Sequence, residues 1–326
     1  MNPKSLKSER LQIMTTITTL LLIVGAVMCV YTPDNFRWKW WASYASQITI
    51  AYWLLGLLFL SLKNSRLTMV SFVCCAFLCI YLKSTTNPAL QSPAKTGEPT
   101  FTVAQFNLSA FTGDYTSFLK ILRNTNADII SVQEITPDWN RVFDDSLGVT
   151  YPHQCDYQSL DIYSLKVMSK YSFAVCDTLF CGNVPSLVLG FKEKLNKKSV
   201  YIFSTYIAPP IYASAFRQMQ RQFDTIAFEI KKINAPTITV GDYNTHASSS
   251  EIQIFRQSAH LNDSRRGYSP SQSDGHISLL DVPTDHIFYS NDFNCIDFQT
   301  ISGFHSERLG ILGRYQFVKD SLIVNK

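Results

Sequence analysis

The sequence predicts a layered α/β sandwich attached to a membrane by an N-terminal helical transmembrane segment. Two observations lead to this prediction. Long apolar runs lie within the first 83 residues, and the later chain alternates strand-length apolar stretches with helical patterns. Many strands mixed with few helices are typical of sheets covered by helices. The 326 residues are therefore divided into an anchor with three helices over 1–84, a linker over 85–99 and a domain over 100–326.

The predicted anchor contains three uncharged apolar runs, at residues 11–33, 40–62 and 67–82. A helix needs about 20 apolar residues to cross the hydrocarbon core of a bilayer. The first two runs are long enough, and the third is marginal unless it extends past Lys83, whose side chain can reach the interface. The alternative for the first run is a cleaved signal peptide, which two further apolar runs disfavour.

Charge is distributed unevenly along the chain. Eight of the 29 basic and two of the 25 acidic residues lie within residues 1–83, so this part carries +6 and the remainder −2. A domain of −2 lacks the diffuse positive charge of general nucleic-acid binders, which disfavours nucleic acid as a partner. Flanking Lys and Arg favour an inside N-terminus by five to three. Three spans then predict a multi-pass protein of the bacterial inner membrane with its C-terminal domain in the periplasm.

The eight cysteines divide equally between anchor and domain. Those of the anchor are predicted to pack as small apolar side chains. An even number in an exported domain permits disulfides, and a Cys176–Cys181 bond would close a short loop; four free thiols are the alternative. Without a CxxC pair or a His/Cys cluster, a zinc site is not expected.

Apolar periodicity predicts the elements of the domain. Strands are expected at residues 100–108, 128–132, 165–169, 186–191, 200–206, 237–240, 285–289, 295–300 and 315–318. Helices are expected at 114–124 and 213–232, where apolar residues recur at steps of three and four.

Polar residues stand at the ends of several predicted strands, where α/β folds collect their sites. These residues are Asn107, Glu134, Asp242, Asn244 and, at the start of a later strand, Asp285. Taken singly, a carboxylate after a strand is more often a helix cap or a turn former than a ligand. The five together predict a shared site.

The domain resembles the endonuclease/exonuclease/phosphatase superfamily over roughly residues 100–320. The segment ADIISVQE, which ends at Glu134, resembles the metal-ligand strand of that family, and GDYN at 241–244 resembles its GDxN motif. Ser169-Lys170 resembles a further landmark, and residues 263–267 with 284–288 resemble a membrane-attached bacterial branch. The resemblance implies a four-layer α/β sandwich, in which helices flank two packed mixed β-sheets.

The resemblance also implies roles for individual residues. Glu134 would hold a Mg²⁺ or Mn²⁺ ion, with Asn107 beside it to orient ligand or metal. Asp242 would position or deprotonate the attacking water, and Asn244 would donate to a phosphate oxygen. Tyr206 stands where other branches carry His or Tyr.

The last family motif departs from its pattern. The family has Ser-Asp-His before its last strand, with the His paired to an Asp that matches Asp285. In one register Ser306-Glu307-Arg308 replaces that motif, so Glu307 would bring a carboxylate to the metal and Arg308 a fixed positive charge to the phosphate. In the other, His305 is the catalytic histidine and two residues are inserted after it. The first register is favoured because it needs no gap.

These observations predict a membrane-anchored, Mg-dependent phosphoric ester hydrolase. It would be a phosphodiesterase or phosphatase acting on a lipid-linked or small phosphate ester at the membrane surface. The alternative is a catalytically reduced member that binds a phosphate ligand or serves as a subunit of a membrane complex. The altered last motif favours the alternative, whereas intact Glu134, Asp242 and Asn244 favour the hydrolase.

Overall fold

The apolar helices and the strand-rich domain are separate units in the computed structural model of the protein. One unit comprises residues 1–86 and 248–250, and the other comprises 87–247 and 251–326. The residues that the structure describes are 3–33, 35–86, 93–109, 111, 114–191, 199–265, 272–273, 282–302 and 308–318.

The N-terminal unit is helical. Its helices are α1 (Pro3–Val30), α2 (Phe36–Ser43), α3 (Ala45–Ser61) and α4 (Ser65–Thr85). Glu9–Val30 and Ser65–Thr85 are each long and apolar enough to cross a membrane. The third run therefore extends beyond its predicted end at residue 82. The second run is bent, because Arg37–Ser43 and Ala45–Ser61 meet at an angle of 60°. The described part of this unit therefore contains two candidate spans, or three if the bent pair is counted as one span.

The later chain folds into strands and helices in mixed order. Its strands are β1 (Thr100–Asn107), β2 (Ile129–Gln133), β3 (His153–Tyr157), β4 (Leu165–Ser169), β5 (Phe173–Cys181), β6 (Val184–Phe191), β7 (Val200–Tyr206), β8 (Thr237–Asp242), β9 (Leu261–Asp263), β10 (Gln272–Ser273), β11 (Asp285–Ser290), β12 (Phe293–Ser302) and β13 (Arg308–Phe317). Its helices are α5 (Tyr115–Thr125), α6 (Pro137–Leu147), α7 (Ala213–Ile233) and α8 (Ser250–Ala259).

Within the described residues these strands form two mixed sheets. The first has the order β10-β13-β1-β2-β4-β3, with β12 also paired to β13, and the second has the order β5-β6-β7-β8-β11-β9. Each sheet contains one parallel pair, β1–β2 in the first and β7–β8 in the second. The carboxyl ends of these two pairs carry the predicted site residues.

The two sheets pack face to face, with helices on their outer faces. Apolar side chains from both sheets share one buried cluster, which contains Val103 and Ile129 of the first sheet and Ile202 and Val240 of the second. A second cluster joins the outer face of the first sheet to α5 and α6. On the second sheet, rings of α7 and α8 pack against those of β11 and the residue after β8. The prediction of a four-layer α/β sandwich is confirmed.

Helix α6 is absent from the sequence prediction although its start follows a known rule. Thr136 caps the helix by accepting a hydrogen bond from the Trp139 N–H at 3.3 Å, and Pro137 occupies the first turn. The preceding helix, α5, ends at Asn126, which caps its C-terminus in the left-handed conformation.

A disulfide joins the edge strands of the two sheets. Cys155 on β3 is bonded to Cys176 on β5, 21 residues later. The predicted Cys176–Cys181 bond is therefore wrong, and Cys181 and Cys295 are free thiols. The reason is geometric: both Cys176 and Cys181 lie on β5, where five residues span roughly 17 Å, far more than a disulfide can bridge.

We expect the double substitution Cys155→Ala/Cys176→Ala to lower the free energy of unfolding of the domain by about 2–4 kcal/mol, because the bond restricts the unfolded chain. Pulse proteolysis of the full-length chain in urea measures the loss. Cys181→Ala, which removes a free thiol, serves as the control and should change stability by less than about 1 kcal/mol. Non-reducing peptide mapping that finds Cys176 linked to Cys181 would contradict the assignment.

Candidate functional site

Five polar side chains meet where the two sheets come together. Asn107 ends β1, Glu134 follows β2, Tyr206 ends β7, Asp242 ends β8, and Asn244 lies two residues further on. The Asn107 amide Nδ2 donates to Glu134 Oε1 at 2.9 Å and to Asp242 Oδ2 at 3.3 Å. Asn107 and Asp242 belong to different sheets, so this amide joins the two halves of the site.

Backbone conformation turns two of these residues toward the site. Glu134 has φ of 56° and Asn244 has φ of 48°, both in the left-handed region. Asn tolerates this conformation, but for Glu it costs roughly 1–2 kcal/mol. The Glu134 N–H is retained in a hydrogen bond to the Ser164 carbonyl at 3.0 Å. Such strain in a non-glycine residue is typical of functional sites.

Gly241 allows β8 to approach β7 closely. Its φ is 155°, and a Cβ at this position would lie 1.8 Å from the Thr205 carbonyl oxygen. Any other residue would push the two strands apart. The glycine of the GDYN segment is therefore required by packing, and it places Asp242 beside Tyr206 across the β7–β8 ladder.

Gln133 was not singled out in the sequence, yet it positions Asp242. Its side chain is buried between the sheets, where Nε2 donates to the Thr205 carbonyl at 2.6 Å. Its Oε1 accepts from the Asp242 N–H at 2.9 Å and from Gln105 Nε2 at 3.1 Å. The sequence does contain a signal for this role. Gln105 and Gln133 stand inside otherwise apolar strands, where a buried amide needs hydrogen-bond partners.

Burial raises the pKa values of both carboxyl groups. For Glu134, burial is the main cause and the nearby Asp242 adds to it, while the hydrogen bond from Asn107 opposes it. Burial also raises the pKa of Asp242, against hydrogen bonds from the Asn244 N–H and the Thr284 side chain. Among the described residues, neither carboxylate takes part in an ion pair with Lys or Arg.

Tyr206 completes the inner wall of the site. Burial, followed by the charges of Glu134 and Asp242, raises the pKa of its phenol well above the usual range. The phenol therefore stays protonated at neutral pH and hydrogen-bonds to Glu134. Asn244 hydrogen-bonds to the same phenol, and its Nδ2 donates to the Ile207 carbonyl at 2.8 Å.

The donor set of the site fits a hard divalent cation. Two neighbouring carboxylates with raised pKa values carry negative charge that a cation would stabilise. Glu134 is partly exposed and can reach an ion from the cleft. Mg²⁺ usually takes one or two carboxylates and completes its shell with water and phosphate oxygens. No group of three or more His, Cys, Asp or Glu is placed to bind metal in the described part of the chain.

The remaining predicted residues are placed less completely. Asp285 opens β11 and is the register partner of Asp242 on β8. Its side chain is buried, and its carbonyl accepts from Arg265 Nη2 at 3.0 Å. Arg308 opens β13. The Arg308 side chain and all of His305 and Glu307 lie outside the described residues.

A buried histidine lies behind Asp242. His286 on β11 is fully buried, and its Nδ1 is 3.6 Å from Asp263 Oδ2, while Nε2 lies 3.0 Å from the Thr245 carbonyl oxygen. Its ring stacks on Phe288. Its electrostatic interaction with Asp242 opposes the rise in the pKa of that carboxyl group. Its burial and its strand position fit a structural residue.

Comparison with known proteins identifies the architecture. The profile of the "Endonuclease/Exonuclease/phosphatase family" matches residues 104–306. No curated protein matches the chain. An endonuclease/exonuclease/phosphatase family protein from Bacteroides thetaiotaomicron is 14% identical, with a TM-score of 0.54 over 68% of this chain and 99% of that one.

Two further solved structures share the fold. TDP2 of D. rerio, complexed with a single strand DNA product, is 14% identical, with a TM-score of 0.55 over 67% of this chain and 99% of that one. ANGEL2, a 2′,3′-cyclic phosphatase in complex with adenosine-2′,3′-vanadate, is 12% identical, with a TM-score of 0.57 over 70% of this chain and 99% of that one. At these identities the likeness establishes the fold.

We expect Gln133→Ala to lower the free energy of unfolding by about 1–3 kcal/mol, because the buried Asp242 N–H and Thr205 carbonyl lose their partner. Gln299→Ala, at an exposed position of β12, is the matched control and should stay within about 0.5 kcal/mol of the parent. Pulse proteolysis in urea compares the two variants. Equal stability of both would show that the buried amide does not hold the sheets together.

A second expectation concerns pH in the presence of a chelator. The pKa of Glu134 in the folded state lies above its usual value of 4.5, so the folded chain binds more protons than the unfolded one. This contribution to stability is fully present below 4.5 and is lost as pH rises through the raised pKa. Glu134→Gln should therefore weaken the loss of stability with rising pH. The urea midpoint in EDTA, measured across this range, tests it, and the exposed Asp145→Asn variant should keep the parent slope.

Proposed function

Because the chain belongs to the Endonuclease/Exonuclease/phosphatase family, whose profile matches more than half of its length, we propose that it is a membrane-anchored, metal-dependent phosphoric ester hydrolase. The observation that carries the proposal is the Asn107 amide that joins Glu134 to Asp242 at the meeting point of the two sheets. The proposed substrate is a lipid-linked or small phosphate ester at the membrane surface, and the activity is that of a phosphodiesterase or phosphatase.

In this proposal each residue has a defined task. Glu134 holds the Mg²⁺ or Mn²⁺ ion, which when bound offsets the negative charge of the phosphate. Asn107 orients Glu134 and Asp242. Asp242 positions the attacking water and accepts its proton, for which its raised pKa makes it a stronger base. Asn244 and the protonated Tyr206 donate hydrogen bonds to phosphate oxygens. These bonds replace the hydrogen bond that joins the two side chains in the structure.

The strand boundary of β13 supports the register without a gap. Since Arg308 is the first residue of this strand, Ser306 and Glu307 come directly before the last strand in the sequence and Arg308 opens it, next to the place that the family motif takes. We assign Arg308 to the phosphate, Glu307 to the metal, and Asp285 to charge pairing with Arg308. In this register His305 is a loop residue.

Chain topology and the disulfide together support a periplasmic domain. With an inside N-terminus, two spans would return the chain to the inside, whereas three spans would place the domain outside. Disulfides persist in oxidising compartments, so the Cys155–Cys176 bond favours the count of three. We therefore propose a multi-pass protein of the bacterial inner membrane. A domain of −2 at the membrane surface also favours a lipid or small ester over nucleic acid.

A second candidate function follows from the altered last motif. Arginine at 308 cannot exchange a proton near neutral pH, so the chain could bind a phosphate ligand without turning it over, alone or within a membrane complex. The complete set of Glu134, Asp242 and Asn244 disfavours this candidate, since ligand binding alone does not require all three.

We expect the purified full-length chain to hydrolyse a phosphodiester or a polyprenyl pyrophosphate in Mg²⁺, with turnover abolished by EDTA. Glu134→Gln should lower kcat/KM on the order of 10²-fold or more, since it removes the metal carboxylate while keeping its shape. Arg308→Gln should lower it about tenfold or more by removing the fixed charge. His305→Ala should stay within about threefold of the parent.

Asp145→Asn, on the exposed face of α6, is the control and should keep full activity. A large loss in His305→Ala with none in Arg308→Gln would establish the other register. If the folded chain binds Mg²⁺ but hydrolyses no ester in the presence of any metal, the hydrolase proposal is wrong and the phosphate-binding function is supported.

A further inference from the structure

Two surface loops beside the site present apolar side chains to solvent. Leu160 and Ile162 lie in the turn between β3 and β4, and Ile211 and Tyr212 lie in the loop between β7 and α7. Their exposed fractions are 103%, 44%, 71% and 56%, respectively. These four residues are called the apolar rim. Single exposed apolar residues are common on protein surfaces, but several on adjoining loops indicate a binding surface.

Strand register places both loops at the site. Gln133 at the end of β2 and Tyr157 at the end of β3 both pair with Leu165, so the β3–β4 turn lies at the end of the sheet where Glu134 follows β2. The Ser164 carbonyl of this turn accepts the Glu134 N–H. The β7–α7 loop begins directly after Tyr206. Both loops are therefore direct extensions of residues that form the site.

Tyr163 joins the two loops. Its ring lies 5.7 Å from the Tyr206 ring in an edge-to-face arrangement. Burial is the main cause that raises the pKa of Tyr163, and the neighbouring Asp161 and Tyr212 add to it. The turn and the loop thus adjoin, with the inner side of Tyr163 on the site and the apolar rim outside it.

Both loops are held in place by their own bonds. Asp161 Oδ1 accepts from Ser159 Oγ at 2.6 Å and from the Tyr163 N–H at 3.0 Å. In the other loop the Ile211 N–H donates to the Pro209 carbonyl at 2.9 Å, and Pro210 restricts the backbone further. Preordered loops lose little conformational entropy when a ligand binds, so their exposed side chains are suited to binding.

We propose that the apolar rim binds the hydrocarbon chain of a lipid-linked phosphate ester whose phosphate group lies at Glu134 and Asp242. This inference rests on the proposed function and names the part of the substrate that the rim recognises. A lipid is the apolar ligand that suits a chain with helices long and apolar enough to cross a membrane. A small soluble ester would leave the rim in water, and nucleic acid would require positive charge that a domain of −2 lacks.

Paired substrates test the rim in the full-length chain. Butyl and hexadecyl p-nitrophenyl phosphate carry the same reacting group, and both release a coloured product. The double variant Leu160→Ser/Ile211→Ser should lower kcat/KM for the hexadecyl ester by about tenfold or more, because two apolar contacts are lost. Its activity on the butyl ester should stay within about twofold of the parent. Val149→Ser is the control, because Val149 is 100% exposed but precedes β3, at the opposite end of the sheet.

The outcomes separate the rim from the proposed hydrolase. Unchanged hydrolysis of the hexadecyl ester by the double variant, or equal losses on both esters, would overturn the role of the rim. A loss confined to ester embedded in nanodiscs, with none for dispersed monomeric ester, would also overturn it and point to contact with the bilayer instead. If the parent hydrolyses neither of these esters nor a polyprenyl pyrophosphate, the hydrolase proposal fails. Equilibrium binding of the hexadecyl ester in Mg²⁺ then decides on the rim: weaker binding by the double variant alone supports it, and equal binding overturns it.

Discussion

The site depends on a buried polar connection between two sheets that otherwise meet through apolar side chains. Gln133 of the first sheet hydrogen-bonds the Thr205 carbonyl and the Asp242 N–H of the second, and Ser131 Oγ lies 2.7 Å from Ser204 Oγ. A buried amide is costly unless its groups are paired, so this connection fixes the relative register of β2 and β8. Glu134 directly follows β2 and Asp242 ends β8. The two carboxyl groups are therefore brought together by the packing of the strands, whether or not their charges favour it.

Two glycines allow neighbouring strands to approach each other closely, one in each sheet. Gly241 lies against the Thr205 carbonyl, and a Cβ at Gly310 would lie 2.0 Å from the Gln105 carbonyl oxygen. Gly310 pairs with Phe106, directly before Asn107 at the end of β1. Because β13 runs antiparallel to β1, its first residue, Arg308, enters the sheet at the end where Asn107 lies. Backbone packing thus places the backbone of Arg308 at the site end of the sheet.

The sequence predicted what depends on local pattern and missed what depends on contact between distant segments. Asn107 and Asp242 follow apolar strands, so their position at strand ends could be read directly. Strand β5 escaped prediction because it is an edge strand with mostly exposed or half-buried residues and has no apolar period. The disulfide partner of Cys176 could not be found either, since it depends on two edges from different sheets meeting. The bend at Tyr44 between α2 and α3 interrupts a run that carries no charged residue.

The altered motif also bears on the kind of ester that the proposed hydrolase would cleave. Arg308 stays charged at neutral pH and cannot protonate a leaving group, and the raised pKa of Tyr206 makes its phenol a weak acid. Asp242 can accept the proton of the attacking water, but no second described residue of the site is suited to supply one. A leaving phosphate is a weak base and departs without protonation, whereas an alkoxide does not. Within the proposed function, these residues therefore favour a lipid pyrophosphate over a simple alkyl ester.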